Sequence, residues 1–227
     1  MSNLDYKAAY RRNLPHLQPP GATFFVTFRL AGSLPQSVIQ QWHEEGRWLE
    51  RNPFGSEQHR LQFERRWFAK FEALLDAGNH GPLWLKNDCV AEQISESLHF
   101  RDGKYFRLDS FTIMPNHVHT LFKPLPIKGA NVLDSEEIEY YSLGSIMHSL
   151  KGYTAYKANR LLGLEGQFWA HESYDHWVRN STEWFRIMAY VLNNPVKAGF
   201  VEKWSEWPWS YRRMPQPQRK VESSRAR

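Results

Sequence analysis

The apolar and polar positions of the chain alternate between two periods, and the switches between them mark out its elements. Ala22–Leu30, A-T-F-F-V-T-F-R-L, is aromatic and β-branched and predicts a strand. Two helical patterns follow, about Gln36–Glu50 and His59–Ala77, divided by the N-P-F-G turn at 52–55. After the Gly81-Pro82 break, Asp88–Phe100 reads as a third helix. Lys104–Met114 alternates as a strand with Phe111 and Ile113 on one face, Pro115-Asn116 turns the chain, and His117–Phe122 forms the next strand. Segment 124–141 reads as an acidic loop with Pro and Gly. Ser142–Leu162 then carries Leu143, Ile146, Met147, Leu150 and Tyr153 at helical spacing. An aromatic loop, G-Q-F-W-A-H-E-S-Y at 166–174, precedes a last helix, Ser181–Asn193. That helix opens on a capping arrangement of Asn180 with Glu183 and is expected to end at Pro195. The segment before Gly21 is expected to be irregular. No internal repeat is visible, and the order predicts an α+β fold with an antiparallel β-sheet and helices packed on it.

Composition narrows this picture. The 227 residues are 41% hydrophobic and 15% aromatic, enough for a substantial core, and disorder is excluded over most of the length. Most of the ten Trp are expected in that core. Cys89 is alone, which excludes an internal disulfide and a cysteine zinc site. No apolar run approaches the ~18 residues of a membrane span. The first residues, M-S-N-L-D-Y-K, lack a signal-peptide core. The expectation is a soluble, cytoplasmic protein with no membrane partner. The net charge of +5 comes from the end of the chain, because 212–227 holds six basic residues and one acidic. The sequence therefore divides into one domain, 1–211, and a basic, disordered tail, 212–227. Lys7, Arg11, Arg12 and Arg29 against Asp5 make the opening segment basic too, which permits a nucleic-acid partner without establishing one.

Two motifs can carry chemistry. In M-P-N-H-V-H-T-L-F, 114–122, strand alternation points His117 and His119 to one side and Val118 to the other, so both imidazoles can reach one metal ion. Paired hydrogen-bonded histidines are the plain alternative. In the last helix, with Tyr190 at zero and about 100° per residue, the stripe of Trp184, Ile187, Met188 and Val191 centres roughly 110° away. Glu183, Arg186 and Asn194 lie within about 40° of Tyr190. Tyr190 thus sits off the core stripe with Asn194 one turn further on: either a tyrosine solvating its hydroxyl, or a phenol beside an amide able to ligate a metal.

Together the paired histidines, the downstream tyrosine and the amide four residues later resemble the single-tyrosine HUH transposases, and most closely the REP-associated tyrosine transposases. The resemblance runs through most of the chain, in Y-R-R-N-L-P-H at 10–16, G-A-T-F-F-V-T-F-R-L at 21–30, M-P-N-H-V-H at 114–119, S-L-K-G-Y-T at 149–154, Y-V-L-N-N-P-V-K-A-G at 190–199 and W-P-W-S-Y at 207–211. It implies a ferredoxin-like (RRM-like) HUH core with a helical insertion. It makes His117, His119 and Asn194 ligands of Mg²⁺ or Mn²⁺ and Tyr190 the nucleophile; other members of the wider group carry Gln where Asn194 stands. Softness alone would favour Mn²⁺ or Zn²⁺ at imidazoles. The implied activity is metal-dependent cleavage and strand transfer on single-stranded or hairpin DNA through a covalent 5′-phosphotyrosine. A phenol near pKa 10 needs such electrostatic help. Arg11, Arg12, Lys151, Lys157 and Arg160 are the expected nucleic-acid contacts. Some relatives share the site across a homodimer.

Tyr174 in S-Y-D-H-W-V-R is the rival nucleophile, but Val178 occupies the position four residues on. His171 and His176 are expected to be structural or DNA-facing. Two other functions fit the scaffold: a non-catalytic hairpin-binding regulator, and a metal-dependent phosphodiesterase that uses water. An H-x-H-x-H nucleotide hydrolase is disfavoured by Leu121 at the third histidine position, and a metallo-β-lactamase by the lack of Asp-His after His119.

Overall fold

The structure, a computed structural model, describes residues 9–11, 15–51, 55–78, 80–127 and 138–214. In chain order the elements are β1 (Ala9–Arg11), β2 (Pro15–Leu17), β3 (Thr23–Leu30), α1 (Gln36–Arg51), α2 (Glu57–Ala77), α3 (Asp88–Arg101), β4 (Phe106–Ile113), β5 (His117–Pro124), α4 (Leu143–Leu162), β6 (Trp169–Val178), α5 (Ser181–Lys197) and β7 (Ser210–Arg212). Two short 3₁₀ turns, Trp84–Lys86 and Trp204–Glu206, complete the path. Five strands form one antiparallel sheet in the order β6-β3-β5-β4-β7. Without the edge strand β7, the unit β3-α3-β4-β5-α4-β6 has the β-α-β-β-α-β connectivity of a ferredoxin-like fold. The hairpin α1–α2 is inserted between β3 and α3.

The two central strands explain the strongest sequence signals. β3 and β5 are buried along nearly their whole length because helices cover both sheet faces; β3 reads as a nearly continuous apolar run, whereas β5 carries buried polar side chains. On one face Phe24, Val26, Phe28, Val118 and Phe122 pack with α3 and α4. On the other, Phe25 and Leu121 meet Ile187, Met188, Val191 and Leu192 of α5. The apolar cluster of Trp67, Phe71 and Leu75 on α2 adjoins that second face through Phe68 and Tyr174.

The insertion leaves and returns at one place. Gly32 and Gly81 both have left-handed backbones, φ 75° and 72°. The chain passes so close there that a Cβ on Gly81 would collide with the Gly32 carbonyl. Only glycine permits this approach.

Several expectations give way to tertiary context. Segment 166–174 is not simply a loop: from Trp169 it is β6, an edge strand whose interleaved polar residues hide its period and whose pairing with β3 decides its state. The opening segment is not wholly irregular, since Ala9–Arg11 pairs with Pro15–Leu17. Pro195 lies inside α5, which runs to Lys197. In the last turn a proline forfeits little, and Ala198 N–H donating to the Asn194 carbonyl (3.0 Å) closes the helix beyond it. Of the ten Trp only Trp67 and Trp169 are buried, and Trp48 is 61% exposed. The folded body continues past Tyr211: Arg212 belongs to β7, and Arg213 ion-pairs with Asp102. Residues 215–227 of the expected tail lie outside the described residues. Among the described residues no helix is long and apolar enough to cross a membrane.

Candidate active site

Strand register sets the two histidines. His119 pairs with Thr27 of β3 and Thr112 of β4, and His117 with Arg29, so both side chains leave the sheet on the α5 side. Each ring is held by its inner nitrogen. His119 Nδ1 is 2.8 Å from Thr27 Oγ1, and His117 Nδ1 is 2.7 Å from Asn116 Oδ1. Asn116 is anchored in turn by donating from Nδ2 to the Leu75 carbonyl of α2 (3.0 Å). With Nδ1–H donating in each, both Nε2 atoms turn to one point, 3.0 Å apart.

The third group at that point comes from the insertion. Glu72 of α2 places Oε2 3.1 Å from His119 Nε2 and accepts a hydrogen bond from the Tyr190 hydroxyl. The Tyr190 ring lies 5.5 Å from the His119 ring, edge to face, and is boxed by Phe25 and Phe68, each at 5.8 Å. Among the described residues, Glu72, His117 and His119 are the trio able to offer ligand atoms to one metal ion, all within 4.8 Å of one another. Two cis ligands at about 2.1 Å from an octahedral ion stand about 3 Å apart. The 3.0 and 3.1 Å separations match that edge. Asn194, one turn past Tyr190, is 1% exposed, and neither of its amide atoms has a partner. A sealed amide with both atoms unpartnered is uncommon in a folded interior.

Burial governs the electrostatics. His117 and His119 are 1% and 0% exposed and Glu72 is 3%. Desolvation and the neighbouring His119 push His117 down to about 3, while Glu72 pulls the other way; the ring is neutral, as a ligand must be. Burial alone would raise the Glu72 carboxyl, but His119, His117 and the Tyr190 hydroxyl together hold it below its ordinary value. Burial, then the Glu72 carboxylate, push the Tyr190 phenol far above its usual range, so it keeps its proton while that carboxylate is uncompensated.

The structure thus brings together His117, His119 and Tyr190, all in one chain, with Asn194 on the same helix. Glu72 is the member that sequence reasoning missed. It borders the apolar stripe of α2, about 40° round the helix from Phe68, and a carboxylate on the rim of an aromatic stripe is the one signal that marks it. Tyr174 is drawn instead into the aromatic wall, stacked on Phe68 at 4.5 Å. His176 bonds Glu183 (3.0 Å), and His171 is exposed on β6. The α4 residues lie across the sheet from this site. Lys151 donates to the Ala170 and His171 carbonyls (2.7 and 3.0 Å), Lys157 sits over the Tyr153 ring, and Arg160 donates to the Tyr156 hydroxyl (2.9 Å). Arg11 lies in β1, its side chain outside the described residues, as is Arg12 altogether.

No family model matches the chain. The chain is similar to a Haemophilus influenzae protein provisionally named a REP-associated tyrosine transposase, with 28% identity over 105 residues, 46% of this chain and 58% of that one. An uncharacterized protein of the same organism is 26% identical over 104 residues, 40% of this chain and 54% of its own. The chain thus spans about half the length of the curated relatives it matches. A solved structure of a REP-associated tyrosine transposase bound to a REP hairpin covers 88% of this chain and 80% of its own, with 17% identity and a TM-score of 0.47.

Proposed function

We propose that this chain is a metal-dependent endonuclease and strand transferase. It acts on single-stranded DNA beside a hairpin and forms a covalent 5′-phosphotyrosine at Tyr190. The observation that carries this reading is the unbroken contact from the Tyr190 hydroxyl through the Glu72 carboxylate to His119 and His117. The two Nε2 atoms and Glu72 would hold Mg²⁺ or Mn²⁺, with the idle Asn194 amide as a further donor. When bound, such an ion polarises the phosphodiester and stabilises charge on the leaving oxygen.

The chain's own groups do the rest. Glu72 accepts the hydrogen bond of the Tyr190 hydroxyl and aims it, and the phenolic oxygen bonds to phosphorus as it loses its proton and the bond from phosphorus to the 3′ oxygen breaks. The proton passes to that oxygen, leaving a free 3′-OH and an ester that conserves the bond for later joining. Phe25 and Phe68 exclude water from the rival attack. Exposed Cys89 is consistent with a reducing, cytoplasmic setting.

The test is incubation of the full chain with a single-stranded hairpin oligonucleotide and Mn²⁺, followed by a denaturing gel. Wild type is expected to give a protein–DNA adduct, and Tyr190→Phe to bind the hairpin without one. An adduct in Tyr190→Phe moves the nucleophile elsewhere. Free 5′-phosphate ends without an adduct indicate water as nucleophile, and binding without cleavage indicates a regulator.

A further inference from the structure

The face of the sheet away from Tyr190 carries a recess that the proposed chemistry does not use. It lies between α4 and β6 and has a volume of about 760 Å³. Its walls include His148 and Lys151 of α4 and Ser173 and Asp175 of β6. The Lys151 ammonium is fixed at the wall by the Ala170 and His171 carbonyls and by Ser173 Oγ (3.3 Å).

The floor is unusual for a helix. Gly144 and Gly152 both lie inside α4, where glycine is disfavoured relative to alanine. Neither has a left-handed backbone that would require it. A Cβ at Gly152 would meet nothing within 4 Å, and one at Gly144 only Ser142 Oγ at 4.0 Å. The chain's own packing therefore gives no reason for either glycine, and both keep the recess clear for close approach from outside.

From Gly152 the same row of α4 runs outward one turn at a time through Tyr156 to Arg160. Tyr156 is 58% exposed and Tyr153 45%. Arg160 lies 5.6 Å over the Tyr156 ring, and Lys157 5.8 Å over Tyr153. Isolated exposed rings, each with a cation beside it, have the chemistry of unpaired nucleic acid: a face for a base and a charge for its phosphate. The lining sets Val26, Met147, Phe168 and Trp169 beside His148, Lys151, Ser173 and Asp175, apolar surface for a base with polar groups around it. A recess of this size takes a nucleotide or two and excludes a duplex.

We propose that the α4–β6 groove is a second binding site, separate from the Tyr190 centre, for an unpaired segment of nucleic acid that passes over Gly152 and stacks a base on Tyr156. It rests on the nucleic-acid part of the reading above and not on its chemistry.

The test uses the full chain and fluorescence anisotropy, with a labelled single-stranded octanucleotide and a blunt duplex of equal length. The single strand is expected to bind more tightly. Gly152→Ala is expected to raise Tm by about 2–4 °C yet weaken single-strand binding at least fivefold, so a folding defect cannot account for the loss. Tyr156→Ala is expected to weaken binding by about five- to a hundredfold, with Tyr156→Phe restoring most of it. Equal affinity for the duplex, no single-strand binding, or a Gly152→Ala chain that is more stable and binds unchanged would each overturn the groove. The adduct assay is scored separately. No adduct with intact, Gly152-dependent binding removes the catalytic reading alone, and adduct formation with binding indifferent to Gly152 removes the groove alone.

Discussion

The two faces of the sheet are built on opposite rules. On the α5 side, titratable groups are buried against one another: Glu72, His117 and His119 are all at most 3% exposed, and the Asn194 amide on α5 is 1% exposed. On the α4 side, cations and rings stand at the surface around a clear recess. Glycine marks the contrast. Gly81 exists because the stalk of the insertion leaves no room for a side chain, whereas Gly152 has room that the protein leaves empty. Burial shifts pKa values, strips ligands of water and fixes geometry, as bond-making chemistry requires. An open, cation-rich surface instead accepts a long polyanion without prior rearrangement.

The largest expected effect breaks the closed face. His119→Ala removes the ring that touches both His117 and Glu72, and is expected to lower adduct formation and Mn²⁺ affinity by at least about 100-fold. Unchanged Mn²⁺ affinity by calorimetry would count against the site.

Acid is the next lever, and its largest histidine shift lies on that face. The His117 ring of the folded state, at about 3, lies well below its ordinary value of 6.5. The unfolded chain therefore binds the proton first, and stability is constant above about pH 6.5 and falls as pH drops from there toward 3. The slope approaches about 1.4 kcal/mol per unit. The lowered Glu72 carboxyl acts in the same direction at the acid end. Melting curves from pH 8 to 4 should show the decline, and His117→Asn should flatten it.

Gly81→Ala sharpens the comparison at the stalk. A left-handed backbone and a collision with the Gly32 carbonyl are expected to cost about 1–3 kcal/mol, seen as a lower Tm together with a weaker adduct, since Glu72 arrives on that stalk. Gly152→Ala, on the open face, has the opposite sign. The smallest effect belongs to the surface pair that joins α5 to α2, Lys197 and Asp76 at 2.6 Å, with the lysine side chain 57% exposed. Lys197→Ala is expected to change stability by less than about 1 kcal/mol.

What the sequence reveals follows the same division. β3 is buried on both faces and announces itself as an apolar run, and His117-Val118-His119 of β5 is legible because strand alternation is fixed by geometry. Tyr190 and Asn194 are legible because helix geometry puts them on one row, away from the stripe that fills the core. Glu72 is not, because its role depends on a long-range contact with Tyr190 across 118 positions of sequence, which no local period encodes. β6 is missed for a related reason: an edge strand with one neighbour and mixed polarity acquires its state from pairing with β3. Lys151 reads as a free cation in sequence, and only the fold reveals that it ties α4 to β6.

The central claim is that Tyr190 takes the DNA. Tryptic digestion of the covalent adduct, followed by mass spectrometry, tests it most directly. The account predicts a deoxynucleotide 5′-phosphate on the peptide 187–197, which contains Tyr190. The same mass on the peptide that contains Tyr174, or on neither, would contradict it.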